Sequence, residues 1–425
     1  MKRVISFLLA AAMMTGAFAG CGQSQSSSSS QAAGSTAASA AASENVSGQS
    51  VTITTWNEPS KDDALNMYKQ AEKATGVKVN VTVIPESDYS SKLGQMVSTK
   101  DTSTDIMVVW ENDLKNFAEA KGIVSLDSYL QKSTINTKDF IPAVSQLSSG
   151  MGATYGLPWC AATEILYYNK DMFKAAGISL PTNNWKYDDF KAAAKKLTKN
   201  GVYGCALPNT QTWWAGVGGA GDKIYAPSNG QMVIGSGATS FIKDCKVMVD
   251  AKEMPAPSSD TTDLFAAGKA AMAWQGSWNI GTYADKLKFD WDIASLPTNK
   301  VKYNTLHTGF YTINANSKKQ TAAWKVIEYL MSEEGQTINS KASGNPSALK
   351  TIANKGAWKV EAAKKVTNWD AITDSLNSGI FGYTCLPSGV TNNAVSKFNS
   401  SLLGEITPAD AVKQASDYAA ETIGY

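Results

Sequence analysis

Tyr155-Gly-Leu-Pro-Trp-Cys-Ala-Ala-Thr-Glu164-Ile-Leu-Tyr-Tyr-Asn-Lys170-Asp-Met-Phe173-Lys-Ala-Ala-Gly177 is the stretch whose reading decides the fold. Ile165 to Tyr168 is a short apolar and aromatic run, the composition of a strand. Asn169, Lys170 and Asp171 break it, Met172 to Ala176 reads as a helical turn, and Gly177 stops that turn. A strand therefore feeds a helix here, and the chain on either side continues the alternation.

Toward the N-terminus, Val51-Thr-Ile-Thr-Thr-Trp56 reads as a strand. Ser60 with Asp63 gives a capping-box signal, Ala64, Leu65, Tyr68, Ala71 and Ala74 share one helical face, and Gly76 ends the helix. Val77, Val79, Val81 and Val83 alternate with polar residues as a second strand. A helical stretch over about Tyr89 to Thr99 then leads into Asp105-Ile-Met-Val-Val-Trp110, a continuous apolar run of the kind a fully buried strand shows. Strand, helix, strand, helix, strand is a parallel α/β layout. Ligands of open parallel sheets bind outside the carboxyl ends of the strands. Trp56 and Trp110 stand at two such ends, followed by Asn57-Glu58 and by Glu111-Asn112-Asp113, so two indoles and their neighbouring carboxylates share a rim.

Toward the C-terminus, Asp188 and Asp189 open a helix with Phe190, Ala194 and Leu197 on its buried stripe, and Asn200-Gly201 closes it. Cys205 to Gly216 reads as a polar loop delivering Trp213 and Trp214, and Ser228-Asn-Gly230 as a tight turn. Ala270 to Trp274 is a short strand that Gln275-Gly-Ser-Trp278 bends into a helix, and Asp290 to Leu296 is a further strand. Ser317 and Gln320 cap a helix carrying Ala323, Val326, Ile327 and Leu330, and a helix over about Pro408 to Thr422 ends the chain. No period of 20 to 50 residues repeats.

Tyr155-Gly-Leu-Pro, Tyr167-Tyr-Asn-Lys-Asp-Met-Phe-x-x-Ala-Gly177, Pro181 and Trp185 before a helix, Phe265-Ala-Ala-Gly-Lys-Ala-Ala-Met272, Gly276-Ser-Trp278 and Trp324-x-x-Ile327-x-x-Leu330 occur in an order that resembles family 1 extracellular solute-binding proteins. These are ligand receptors of carbohydrate ABC importers, and the resemblance covers nearly all of residues 51 to 425. It implies a two-lobe, type II periplasmic-binding-protein-like α/β fold with discontinuous lobes, a central cleft and a hinge. Lobe 1 is expected at 51–160 and 312–350 and lobe 2 at 161–306 and 351–425, with crossovers near 155–168, 307–312 and 345–351. It also implies a membrane permease as partner, no cofactor, and a monomer.

The ends and the composition fit an exported body. Met1-Lys-Arg3, an apolar run continuing to Phe18, and Ala19-Gly20-Cys21 read as a signal peptide over 1–20. Phe18-Ala-Gly-Cys21 resembles a bacterial lipobox, with Phe18 where Leu is usual, and implies lipidation of Cys21 and attachment to the outer face of the cytoplasmic membrane. Residues 21–50 are almost only Ser, Ala, Gly and Gln, which bury too little apolar surface to fold, and so read as a tether. At 425 residues the chain exceeds what one hydrophobic core usually serves. Loss of Lys2 and Arg3 with the leader takes 39 basic residues to 37, against 37 acidic ones, which removes the electrostatic footprint of a nucleic-acid binder. Cys160, Cys205, Cys245 and Cys385 have no metal-ligand or Cys-x-x-Cys spacing, and disulfides among them stay open.

Tryptophan carries most of the functional signal. Trp56, Trp110, Trp159, Trp213, Trp214, Trp274 and Trp278 fall at strand ends or in loops, where flat indole faces can meet the CH faces of a sugar ring. Asn57, Glu58, Glu111, Asp113 and Glu164 are candidates for its hydroxyls, with His307, Asn345 and Tyr383 as further candidates. Set against this, tryptophan is common in cores, and a charged residue after a strand is more often solvated or capping a helix. Gly216-Val-Gly-Gly-Ala-Gly221 matches a dinucleotide fingerprint but lacks a preceding strand and a correctly spaced acid, and reads as a flexible loop beside the cleft. His307 is the sole histidine, which leaves little room for a catalytic triad. The expectation is a saccharide receptor that is not an enzyme. The rivals are a lipoprotein glycoside hydrolase, with a carboxylate pair among Glu58, Glu111 and Glu164, and a receptor for another solute such as a polyamine or phosphorylated polyol.

Overall fold

The structure is a computed structural model describing residues 45–142, 144–145, 151–226, 230–260, 262–359 and 363–425. The expected leader, Cys21 and most of the tether lie outside these residues, as does most of the Ser228-Asn-Gly230 turn. Val51, Ile53, Ile106 and Val108 are apolar, almost fully buried residues of two neighbouring strands, and they set the first layer. Strands β1 (Ser50–Thr55), β2 (Lys78–Val83) and β3 (Ile106–Trp110) run parallel, with β1 between the other two. β4 (Leu157–Pro158) completes the rim, and a returning strand described below enters antiparallel between β3 and β4. The helix Met67–Thr75 between β1 and β2 is capped by Asn66, whose side chain accepts from Lys69 N, and stops at Gly76 in the left-handed region (φ 71°). Ser60 does not cap it; Asp62 first caps a short 3-10 turn, Asp63–Leu65, because the chain must bend before the helix can lie on the sheet.

The second sheet is organised by β5 (Ala162–Asn169), buried along its whole length. Asn169 ends it by turning its side chain to Met172 N, which starts the helix Lys170–Ala176, and Gly177 ends that helix at φ 65°. A hairpin, β6 (Ile224–Ala226) with β7 (Gln231–Val233), stands apart from the sheet, whose further members are β8 (Met272–Gly276), β9 (Trp291–Ala294), β10 (Asn304–His307) and, beyond β11 (Gly309–Ile313), β12 (Gly379–Ile380). β8, β9 and β10 pair antiparallel with β5, and β12 pairs parallel with β10. β11 is the returning strand of the first sheet.

Each sheet has its own core. Val51, Ile106, Tyr311, Trp324 and Ile352 belong to the first, and Leu166, Phe173, Trp213, Phe241 and Phe398 to the second. The chain passes from the first sheet to the second at Trp159–Ala161 and back at Thr308. It leaves the first core again between Ile352 and Trp358, which packs with the residues behind β5. The return to the first sheet thus starts with β11 at Gly309, and Ile352 still packs in the first core. Strand register and apolar contacts decide both points, and neither has a local composition signal.

The stretch read as a loop around Trp213 and Trp214 is the helix Thr210–Gly219. Asn209 caps it by accepting from Thr212 N, while Thr212 Oγ1 accepts from Asn209 N. Gly216 and Gly218 are its last turns rather than a flexible loop. A Cβ on Gly216 would come within 2.1 Å of Phe241, and one on Gly218 within 2.3 Å of Tyr303, so the glycines permit close packing. Among the described residues no helix is long and apolar enough to cross a membrane.

Candidate functional site

Parallel β1, β2 and β3 bring their carboxyl ends to one edge of the first sheet, and the chain after each of them lines a cavity of about 1040 Å³ between the two sheets' bodies. Trp56, Asn57 and Glu58 follow β1; Trp110 and Glu111 occupy the end of β3; Trp159 follows β4. The rings form one cluster: Trp56 lies 5.1 Å from Trp110 and 6.4 Å from Trp159 between centroids, and Tyr89 closes edge-on against Trp56 at 5.1 Å. Gly309 makes this possible. A Cβ there would sit 2.3 Å from Trp159 Nε1 and 2.8 Å from Trp56 Cη2.

The opposite wall comes from the second body. Trp278 precedes the helix Asn279–Lys286, and Tyr383 and Thr384 form a short turn after β12. Asn345 enters from the loop that follows the helix Glu333–Ser343; its Oδ1 accepts from Ser277 Oγ at 2.9 Å, and it lines the cavity from a buried position.

His307 lies on the floor, at the passage from β10 to β11. Its Nδ1 is 3.0 Å from Glu111 Oε1 and its Nε2 is 3.2 Å from Glu164 Oε1. Burial of the ring opposes its protonation, but the bonds and charges of Glu111 and Glu164 outweigh burial and lift its pKa to about 9. Trp278 meets the imidazole edge-on at 5.2 Å.

The cavity therefore gathers Trp56, Asn57, Glu58, Trp110, Glu111, Trp159, Trp278, His307, Asn345 and Tyr383 from the sequence candidates. Five candidates do not line it. Trp213 and Trp214 are fully buried, Trp213 against Phe241 and Phe398 and Trp214 stacked under Tyr383 at 5.7 Å, because their helix is buried on every side from Thr212 to Gly219. Trp274 packs among Tyr187, Phe190 and Phe241, since it points to the helix-covered face of β8. Asp113 lies behind Ser90, whose hydroxyl it accepts; burial raises its carboxyl above the usual range, with the Ser90 bond opposing and the Glu111 charge adding. Glu164 is sealed beneath His307.

Sequence reasoning missed Glu86, Ser87 and Ser90, although they follow β2 and obey the same carboxyl-end rule as Trp56 and Trp110. It also missed Gln211, Asn279 and Asn392, which begin helices far apart in the chain and carry no local signal. Cys160, Cys205, Cys245 and Cys385 are free thiols. Among the described residues no group of His, Cys, Asp and Glu is placed to hold a metal ion.

Residues 66–368 match the model of the bacterial extracellular solute-binding protein family, more than half of the chain. The chain belongs to that family. Among similar proteins, a galactooligosaccharide-binding protein of Bacillus subtilis is 25% identical over 99% of this chain and 96% of its own length. The diacetylchitobiose binding protein DasA of Streptomyces coelicolor is 24% identical over 97% of both. A binding protein of Brucella abortus is 28% identical over 61% of this chain, a match spanning 66% of that protein. Of solved structures, an ABC substrate-binding protein of Listeria monocytogenes in complex with cycloalternan superposes with a TM-score of 0.78 at 24% identity, over 89% of this chain and 99% of that one. The GacH receptor of Streptomyces glaucescens gives 0.77 at 19% identity, over 88% and 98%. The fold of this extracellular solute-binding protein is thus the two-lobe, type II periplasmic-binding-protein-like α/β fold, and the relatives named here are binding proteins.

Proposed function

We propose that this solute-binding protein captures a mono- or oligosaccharide between its two lobes and hands it to the permease of an ABC importer. The observation that carries the reading is the joint presence of Trp56, Trp110 and Trp159 on one wall and Trp278 on the other. Indole faces stack on the apolar faces of sugar rings, while the amides and carboxylates between them pair with hydroxyls. A cavity of about 1040 Å³ is at the upper end of small-molecule sites, which favours more than one sugar ring. The relatives named for galactooligosaccharide and diacetylchitobiose support the same class. Closure of the lobes would transmit occupancy to the permease, and only a ligand that binds the closed form more tightly shifts that equilibrium. A diacylated Cys21 and the tether behind it would hold the receptor, as a monomer, at the membrane.

A thermal-shift and tryptophan-fluorescence screen against mono- and oligosaccharides tests this. The expected result is a raised melting temperature and an emission change with at least one saccharide, with the saccharide recovered intact. Release of shorter sugars, or stabilisation only by polyamines or polyol phosphates, would overturn it. Detergent phase partition of the full chain and of Cys21→Ala tests the anchor, the variant moving to the aqueous phase.

A further inference from the structure

The Glu164 carboxylate has no exposed surface and neither of its oxygens has a hydrogen-bond partner; His307 Nε2 stands 3.2 Å from Oε1 as an ion-pair contact. A buried carboxylate is unfavourable unless a charged partner answers it. Its one partner is the imidazole, whose other nitrogen faces Glu111. A ring carrying both protons answers both carboxylates by charge, whereas a neutral imidazole has a single N–H and would leave one of them facing a lone pair, with the Thr305 hydroxyl 3.2 Å from Nε2. Glu111 side-chain exposure is only 9%, yet Glu111 lines the cavity. His307 grips Oε1, and Thr308 N approaches Oε2 at a long 3.4 Å.

We infer that Glu164 is a positioning residue for ligand recognition: acting through His307, it fixes Glu111 as a hydrogen-bond acceptor on the cleft floor. This rests on the receptor reading above and narrows its ligand. A carboxylate that accepts one bond at each oxygen still keeps lone pairs for further donors and offers no proton of its own. Among the described residues no lysine lines the cavity, and Arg3 is the only arginine in the sequence. The floor therefore selects hydroxyl donors and disfavours phosphorylated or carboxylated sugars, which makes the ligand a neutral saccharide. Glu164 itself never touches the ligand.

The surroundings of His307 add no competing switch. Tyr383 Oη lies 3.4 Å from Nδ1, and Thr305 Oγ1 lies 3.2 Å from Nε2. The Tyr383 hydroxyl is pushed well above its usual value by burial and by Glu111 and Glu164. Cys160 is raised to about 12, chiefly by burial with Glu111 adding, and Cys385 to about 11 by burial and Glu111 against Lys115. Across pH 5.5 to 8, His307 stays charged while these neighbours stay neutral.

Because the chain has one histidine, histidine-selective isotope labelling gives a single imidazole to follow by NMR. In the full-length ligand-free protein, its signals should remain those of the doubly protonated ring up to pH 8. In Glu164→Gln they should titrate below pH 7, since the amide keeps the shape but not the charge. Binding of diacetylchitobiose and of a galactooligosaccharide mixture is then measured across pH 5.5 to 8. The wild-type Kd should be flat, the Glu164→Gln Kd should rise roughly tenfold through the new titration, and Glu164→Asp should restore most of the flat profile. A wild-type His307 that titrates near its ordinary value overturns the inference even if Glu164→Gln fails to fold. A variant whose imidazole titrates lower while its Kd stays flat overturns it as well. If the wild type binds neither saccharide, the receptor reading for these sugars fails and takes the recognition role with it, an outcome visible before any variant is made.

Discussion

Two groups of tryptophans look alike in the sequence and differ in the molecule. Trp56, Trp110 and Trp159 stand around the rim of the first sheet and face the cleft, whereas Trp213, Trp214 and Trp274 are packed inside the second lobe. The rim trio lies where strands end at the edge of a sheet, and although Trp159 is as buried as Trp274, all three still line the cavity. The inner trio lies under covering elements: Phe398, from the helix Ser388–Leu402, meets Trp213 and Trp214, and Phe190 and Phe241 meet Trp274. Position at a strand end exposes an aromatic only when the topology leaves that end uncovered. The two groups are not independent, since Trp214 stacks beneath Tyr383 and so shapes the cleft from behind.

The contrast is sharpest under truncation. Trp213→Ala should cost about 3–5 kcal/mol of stability, read as a lower urea midpoint, while the protein that remains folded binds its saccharide with nearly unchanged Kd. Trp56→Ala should do the reverse, weakening binding by about 1–2 kcal/mol in titration calorimetry with a much smaller loss of stability. Equal destabilisation by both substitutions would erase the distinction between rim and core. Gly309→Ala tests the rim from its backbone: the new Cβ overlaps Trp159 and Trp56, so Kd should rise about tenfold and stability should drop by about 1–3 kcal/mol.

A pH prediction separates the hinge floor from both groups. The His307 pKa is raised from 6.5 to about 9, so the stabilisation it brings is complete below about pH 6.5 and is lost as pH rises through about 9. The melting temperature of the wild type should therefore fall by a few degrees more than that of His307→Gln between pH 6.5 and 9.5. Parallel curves for the two proteins would mean that the contacts of His307 with Glu111 and Glu164 add nothing to stability. The smallest effect belongs to Asp113→Asn. Burial already disfavours the charged carboxyl there, so the amide should change stability by less than about 1 kcal/mol and leave Kd within about twofold, as expected for a residue behind the cleft wall.

Much of lobe 1 was legible in the sequence because its signals are local. Val79, Val81 and Val83 alternate, Ile106 to Val109 form an unbroken apolar run, and Gly76 takes the left-handed conformation that stops a helix. The carboxyl-end rule then placed Trp56, Glu58, Trp110 and Glu111 on one rim, and it would have placed Glu86 and Ser87 had it been applied to β2. Lobe 2 was less legible. Asn209 and Thr212 bond each other and turn an apparent loop into a buried helix, and the four glycines from Gly216 to Gly221 look like flexibility when two of them serve close packing.

The sequence by itself determined the alternation of strands and helices, the nearly even charge balance of 39 basic against 37 acidic residues without a nucleic-acid footprint, and the residue types available to a sugar. Those properties follow from neighbours along the chain, where hydrophobic period, caps and breakers act within a few residues. Only the tertiary structure decided which tryptophans see the cleft and that Glu111, Glu164 and His307 meet on its floor. These residues come from β3, β5 and β10, which are far apart in the sequence, and only strand pairing and the two passages between lobes bring their side chains within hydrogen-bonding reach.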